Sequence, residues 1–210
     1  MKNFSNRYIF LYITVLVAVI AVLLTAVSLG LKPRREANQQ VEKAQQILRA
    51  AGYGDVAKTE ALRLFGEAAS RRDIDGHECY DIRCADGDSG LVVYVEGKGL
   101  WGPIWGYVVL ASDHATVKGV TFSHKSETPG LGDRITSKEF TQAFIGKRIF
   151  DNDGNFVSIS VIKEGRGGKV AEENRVDAIS GATLTSKGVN AMLHDQLQFI
   201  QFIEYLESEN

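Results

Sequence analysis

The pattern of apolar and polar positions divides the chain near Lys32. From Tyr8 to Leu31 no charge interrupts an apolar run. A helix of that length extends roughly 36 Å, enough to cross a hydrocarbon core of about 30 Å. Arg7 and Lys32 bracket the run, and Tyr8 and Tyr12 fall where an aromatic belt would place them. The apolar part of a cleaved signal peptide is shorter, about 7 to 15 residues. The pattern therefore predicts a tail over 1–7 and a single transmembrane helix over 8–31, with the bilayer as partner. Lys2 and Arg7 on one flank face Lys32, Arg34 and Arg35 on the other, so charge does not choose an orientation.

Beyond the run, Lys32 to Gln40 reads as a linker opened by Pro33. Val41, Ala44, Ile47, Leu48 and Ala51 then recur at helical spacing until Gly52. Residues 32–57 are thus expected to form a linker and lead-in helix, and 58–210 a water-soluble domain. Within that domain Lys58 to Ala69 suits a short helix. Leu91–Val95, Trp105–Ala111 and Val117–His124 suit strands of an antiparallel meander. Ser137 is placed to cap a helix reaching about Ile145, with Phe140 and Phe144 on one face and Gly146 as its stop. The turn Asp151-Asn152-Asp153-Gly154-Asn155 precedes an alternating stretch, Phe156 to Ile162, that reads as a strand. Val189, Leu193, Leu197 and Ile200 trace one stripe of a last helix running to about Leu206. The fold class predicted is α+β, a mainly antiparallel sheet with packed helices.

Charge and cysteine narrow the function classes. Lys and Arg number 24 against 26 Asp and Glu, which supplies no basic field and argues against nucleic acid. Cys79 and Cys84, with four residues between them and no second pair, lack metal-site spacing; a bridge across a hairpin and two plain buried thiols both remain open. The histidines at 77, 114, 124 and 194 are scattered, so each reads as a surface or satisfied residue and no metal is expected.

Several fragments imitate catalytic signatures. Gly87-Asp88-Ser89-Gly90 mimics a protease nucleophile segment, but His77 and Glu78 read as a polar loop and too little chain remains for a two-barrel protease. Asp151–Asn155 opens like a calcium loop yet has Phe156 where Gly is needed. Gly165-Arg166-Gly167-Gly168-Lys169 lacks Walker spacing and reads as a surface loop.

Two segments remain. From Arg175 to Val189 the chain reads as strand, tight turn and helix start. Ser180, Gly181 and Ala182 permit a sharp turn and close ligand approach. Thr183, Thr185 and Ser186 set hydroxyls and free amides at the first turn of the last helix, where the positive dipole end favours phosphate. Upstream, Glu127-Thr128-Pro129-Gly130-Leu131-Gly132 reads as a Pro-Gly turn with polar residues at its head.

The stretch Asp177-Ala178-Ile179-Ser180-Gly181-Ala182-Thr183 resembles the acceptor motif for covalent flavin attachment, in which a transferase moves FMN from FAD onto a threonine hydroxyl as a phosphoester. The resemblance implies that Thr183 is the linked residue and that Asp177, Ser180, Gly181 and Ala182 are recognition positions. Thr185 joins the cofactor-binding set. The loop from Glu127 to Gly132 resembles the second hallmark of this FMN-binding family, which lies against the isoalloxazine ring. Glu127 and Thr128 would supply polar contacts, Gly130 and Gly132 a tight backbone, and Leu131 a packing face. Over nearly its whole length the chain is similar to the NqrC family, the C-type subunits of the sodium-translocating NADH:quinone reductases. A third stretch, Gly97 to Tyr107 with Leu100 and Trp101 counted as cofactor-binding, resembles that family more than the G-type flavoprotein of the Rnf complex.

The family implies an electron-carrying subunit that is not catalytic alone and has no catalytic side chain of its own. Its partners would be the other subunits of a sodium-transporting, ubiquinone-reducing complex and a flavin transferase. Its place would be the cell inner membrane, with the soluble domain on the periplasmic side. The alternatives are the ferredoxin-linked Rnf relative and a tethered, non-redox module that shares only the fold.

Overall fold

The computed structural model describes residues 5–163, 165, 168 and 170–203. The chain divides into two compact units, Met1–Glu42 and Lys43–Asn210. Helix α1, Asn6–Ala50, begins in the first and ends in the second. In the first unit the apolar side chains from Tyr8 to Leu31 are exposed, and this is one helix long and apolar enough to cross a membrane. The hydroxyls of Thr14 and Thr25 donate to Phe10 O and Ala21 O at 2.9 and 2.8 Å. These two threonine hydroxyls are thereby satisfied within the helix, which is how polar side chains are accommodated in apolar surroundings.

The linker expected at Lys32 to Gln40 is absent, because α1 continues through Pro33. Proline removes one backbone donor, but Arg34, Arg35, Glu36, Ala37 and the glutamines beyond it are good helix formers, and Lys32 reaches Glu36 one turn on at 3.8 Å. The lead-in helix of the sequence reading is thus the last part of α1. It stops where Gly52 adopts φ +89° and donates to Arg49 O, while Tyr53 N donates to Leu48 O, a left-handed C-terminal motif that favours glycine.

In the second unit, α2 (Lys58–Ala68) leads into a five-stranded antiparallel meander. Its strands are β1 (Ala69–Ile74), β2 (His77–Arg83), β3 (Ser89–Lys98), β4 (Pro103–Ala111) and β5 (Val117–His124), paired in sequence order. The hairpin of β1 and β2 is a correction to the sequence reading, and His77 and Glu78 lie in β2 rather than a polar loop. Both faces of the sheet are covered. Leu91, Val93, Val95, Ile104, Val108 and Leu110 face the helices that follow β5, whereas Val92, Tyr107 and Val109 face Ile47 and Ala50 of α1. Two-sided burial makes β3 and β4 almost wholly apolar. Gly119 sits where a Cβ would collide with the carbonyl of Ala50, so α1 ends flat against β5.

Cys79 belongs to one core and Cys84 to the other. Both are free thiols on opposite faces of the sheet, which rules out the bridge left open by the sequence.

After β5 a 3-10 turn (Gly132–Thr136) precedes α3, Lys138–Gln142. Ser137 caps α3 by accepting from Phe140 N at 3.3 Å, and Phe140 and Phe144 meet edge to face at 5.2 Å. The helix is shorter than the sequence suggested. Asp151 Oδ1 closes the following turn by accepting from the amides of Asp153 and Asn155. The strand expected over Phe156 to Ile162 is reduced to β6, Ser160–Ile162, because Ser158 takes a left-handed φ of +60°. β6 pairs in parallel with β7, Arg175–Asp177. The chain then turns into α4, Thr183–Leu197, continued by a 3-10 segment, Gln198–Phe202. Val189, Leu193, Leu197 and Ile200 are all buried, as their stripe predicts, and α4 packs on β3. The loop Gly165–Lys169 and the helix end near Leu206 fall wholly or partly outside the described residues.

Candidate functional site

Two tight turns of the same design meet at the start of α4. In one, Leu131 N donates to Thr128 O at 3.1 Å across Pro129 and Gly130, with φ +77° at Gly130. In the other, Ala182 N donates to Ile179 O at 3.1 Å across Ser180 and Gly181, with φ +82° at Gly181. Glycine third in the turn is what a type II geometry needs, and proline second presets the first angle. The turns touch: a Cβ on Gly181 would lie 2.9 Å from Leu131 Cδ2. The structure thus brings together two segments separated by about fifty residues in sequence.

Glu127 holds them there. Its side chain is buried, with the residue 5% exposed. Oε1 accepts from Trp101 N at 3.0 Å and Oε2 from the Thr185 hydroxyl at 2.6 Å. Gly99 and Gly132 line its carboxylate so closely that a Cβ on either would collide with it. A single side chain therefore ties the β3–β4 loop, the 127–132 loop and the first turn of α4. His124, at the end of β5, adds a fourth contact, accepting from Glu127 N on Nδ1 at 3.2 Å.

The sequence-predicted residues divide by burial. Thr183, Ser180, Gly181 and Asp177 are exposed around the second turn, and Thr128, Gly130 and Leu131 around the first. Leu100 and Trp101 are exposed on the β3–β4 loop, Trp101 at 66%. Leu131, which packs against Gly181, and Leu184, next to Thr183 in the chain, are likewise large apolar side chains left uncovered. Glu127, Gly132, Ala182 and Thr185 are buried instead. Thr185, 1% exposed, spends its hydroxyl on Glu127, and Ser186 Oγ accepts from Ile179 N at 3.1 Å. These two hydroxyls build the site from inside, so of the three that the sequence sets at the first turn of α4 only that of Thr183 is left for a ligand. Glu127 likewise faces inward and offers no polar group to the surface.

The arrangement suits a phosphate-bearing, flat, partly apolar ligand. Ala182, at the head of α4, makes no side-chain cap bond, so the first-turn amides beside the Thr183 hydroxyl stay available to an anion. Exposed Leu100, Trp101, Leu131 and Leu184 offer area for an aromatic ring. Asp133, directly after the first turn, keeps Oδ1 buried without a hydrogen-bond partner, a position where a donor is wanted. The sequence reading missed Asp133 and His124, which its motif boundaries exclude. Two open polar clefts elsewhere, one beside Arg148 and Asp151 and one beside Arg72 and Ser89, include none of these residues.

Comparison with known proteins bears on this geometry. The model of the FMN-binding domain matches residues 99–198, the span from the β3–β4 loop to the end of α4. The C-type subunit of the Na(+)-translocating NADH-quinone reductase from Haemophilus ducreyi is 30% identical over 223 aligned positions, covering 86% of this chain and 85% of that one. The chain belongs to the NqrC family of the Na(+)-translocating NADH-quinone reductases. The family member from Neisseria meningitidis is 39% identical over 113 residues, 53% of this chain, and the matched stretch spans 42% of that relative's length. The crystal structure of the family member from Parabacteroides distasonis has a TM-score of 0.73 at 33% identity, covering 86% of this chain and 98% of that one. As in that relative, the NqrC fold here is an α+β one.

Proposed function

We propose that the chain is a membrane-anchored electron-carrying subunit that holds FMN through a phosphoester to Thr183 and serves in a sodium-translocating, ubiquinone-reducing NADH dehydrogenase complex. The observation that carries this reading is the free hydroxyl of Thr183. It stands exposed at the uncapped start of α4, next to exposed Leu184 and directly after the turn at Gly181, against which exposed Leu131 packs. Bound there, the flavin would supply one-electron redox chemistry, which belongs to the cofactor.

The protein's own part is positional. Thr183 tethers and performs no proton transfer. The first-turn amides and the helix dipole stabilise the phosphoester anion. Exposed Leu131, Leu100 and Trp101 would offer apolar surface to the ring, and Glu127 keeps the three segments in register. A tether of this kind prevents loss of cofactor on a membrane side that lacks a means of recapture. Residues 8–31 anchor the chain in the inner membrane, with the soluble domain on the periplasmic side, the other subunits of the complex as its partners and a flavin transferase for its maturation.

Coexpression of the full chain with a flavin transferase tests this. Wild type is expected to carry flavin fluorescence through a denaturing gel, and Thr183→Val to carry none. Flavin retained by the variant at full stoichiometry refutes the attachment.

A further inference from the structure

We propose that His124 is a proton-sensitive positioning residue of the site, an inference that rests on the flavin reading only for its effect on redox behaviour. His124 is half-buried at the end of β5, and its Nδ1 lies 3.2 Å from Glu127 N. A backbone N–H can only donate, so Nδ1 must offer its lone pair and the ring proton must sit on Nε2. Proton uptake at Nδ1 forms a new N–H bond, uses that lone pair and sets two donors against each other. The hydrogen bond to Glu127 is then lost.

The loss cannot be absorbed where it occurs. The Glu127 carboxylate fills the space left by the missing side chains of Gly99 and Gly132, and its two oxygens hold Trp101 N and the Thr185 hydroxyl. A shift of the Glu127 backbone must therefore move the loop bearing Trp101 or the first turn of α4 bearing Thr183. Those are the two elements that would contact ring and phosphate. The charged groups on the elements around His124 are few. β4 carries none, the 3-10 turn carries Asp133 and Arg134, and α3 carries Lys138 and Glu139. Lys125 and Glu127 follow His124 in its own loop, and Lys98 stands at the end of β3.

The experiment measures deuterium exchange at the Glu127 amide of the full chain in nanodiscs across pH, corrected for intrinsic rates, in three proteins. In wild type, protection is expected to fall about tenfold as His124 takes up its proton, since one hydrogen bond of about 1.4 kcal/mol is lost. His124→Leu should exchange about tenfold faster than wild type at high pH and show no pH step. His124→Asn places an amide oxygen near the position of Nδ1, and should keep protection at every pH. In flavinylated protein the midpoint potential of wild type should carry a pH-dependent step that His124→Asn lacks. Equal protection in wild type and His124→Leu, or the same pH profile in wild type and His124→Asn, overturns the proposal. The exchange readout needs no flavin, so a chain without covalent flavin would refute the proposed function while this inference is still decided.

Discussion

Thr185→Val removes one hydroxyl from the centre of the site while nearly conserving shape. In the native protein that hydroxyl donates to Glu127 Oε2 at 2.6 Å, and Thr185 is 1% exposed. The variant leaves a buried carboxylate oxygen without its donor. Water cannot readily take the place, because a Cβ on Gly132 would already crowd both Oε2 and the Thr185 hydroxyl. A hydrogen bond to a carboxylate is worth about 1.5–3 kcal/mol, and stranding its buried partner sets the cost toward the upper end. For a chain of this size each kcal/mol lowers the melting temperature by about 2–4 °C, so a fall of roughly 3–12 °C is expected. The assay is thermal unfolding of the full chain in detergent, followed by tryptophan fluorescence. Trp101 and Trp105 are the protein's two tryptophans, and Trp101 donates its backbone N–H to the same carboxylate, so the signal reports on the site. Thr185→Ser keeps the donor and should recover most of the loss. A Thr185→Val protein within about 0.5 kcal/mol of wild type, the range of ordinary surface changes, would refute the role given to Glu127.

The remaining expectations are simpler. Gly181→Ala should cost about 1 kcal/mol or more, because φ of +82° strains an L-residue and the new methyl meets Leu131 Cδ2 at 2.9 Å; denaturant unfolding measures it, and the same variant should lower flavin incorporation. Burial pushes the Cys79 thiol up to about 12 and also raises that of Cys84, so neither should react with an alkylating reagent at neutral pH until the protein unfolds, as intact mass would show. Burial would raise the Asp113 carboxyl, but the Thr116 hydroxyl and the amides of Thr116 and Ala115 outweigh it and hold the group below the usual carboxylate range. Its contribution to stability is therefore full above the ordinary aspartate range and is lost as pH falls through the depressed value. Asp113→Asn should flatten the stability profile of the protein below about pH 4, and an unchanged acid limb would count against that contribution.

Where the sequence was legible, a local pattern carried the information. The stripe of Val189, Leu193 and Leu197, the Ser137 cap and the glycine stop of α1 each follow from residues within a turn or two of one another. The β1–β2 hairpin escaped because β1 is an edge strand reading Ser-Arg-Arg-Asp, with little apolar alternation to announce it. A signal did exist in Asp75-Gly76, both at positive φ, the turn that joins such hairpins tightly. Pro33 misled in the opposite direction, since a single missing donor does not end a helix whose neighbours all favour one. The cysteines could not be assigned until strand phase was known, because five positions along a strand exchange one face of the sheet for the other.

The site shows the same limit more sharply. Thr183 and Thr185 look equivalent in sequence, yet two residues along a helix rotate a side chain by about 200°, so only one of the two hydroxyls can face outward. Which one is decided by Glu127, a residue 58 positions away, whose buried carboxylate needs a donor and finds it in Thr185. Satisfying that need turns Thr183 toward solvent at the uncapped helix start, beside Leu131. The exposure of the proposed attachment hydroxyl and the burial of its neighbour are thus one constraint seen from two sides, and removing the inner hydroxyl should disturb the outer one without touching it.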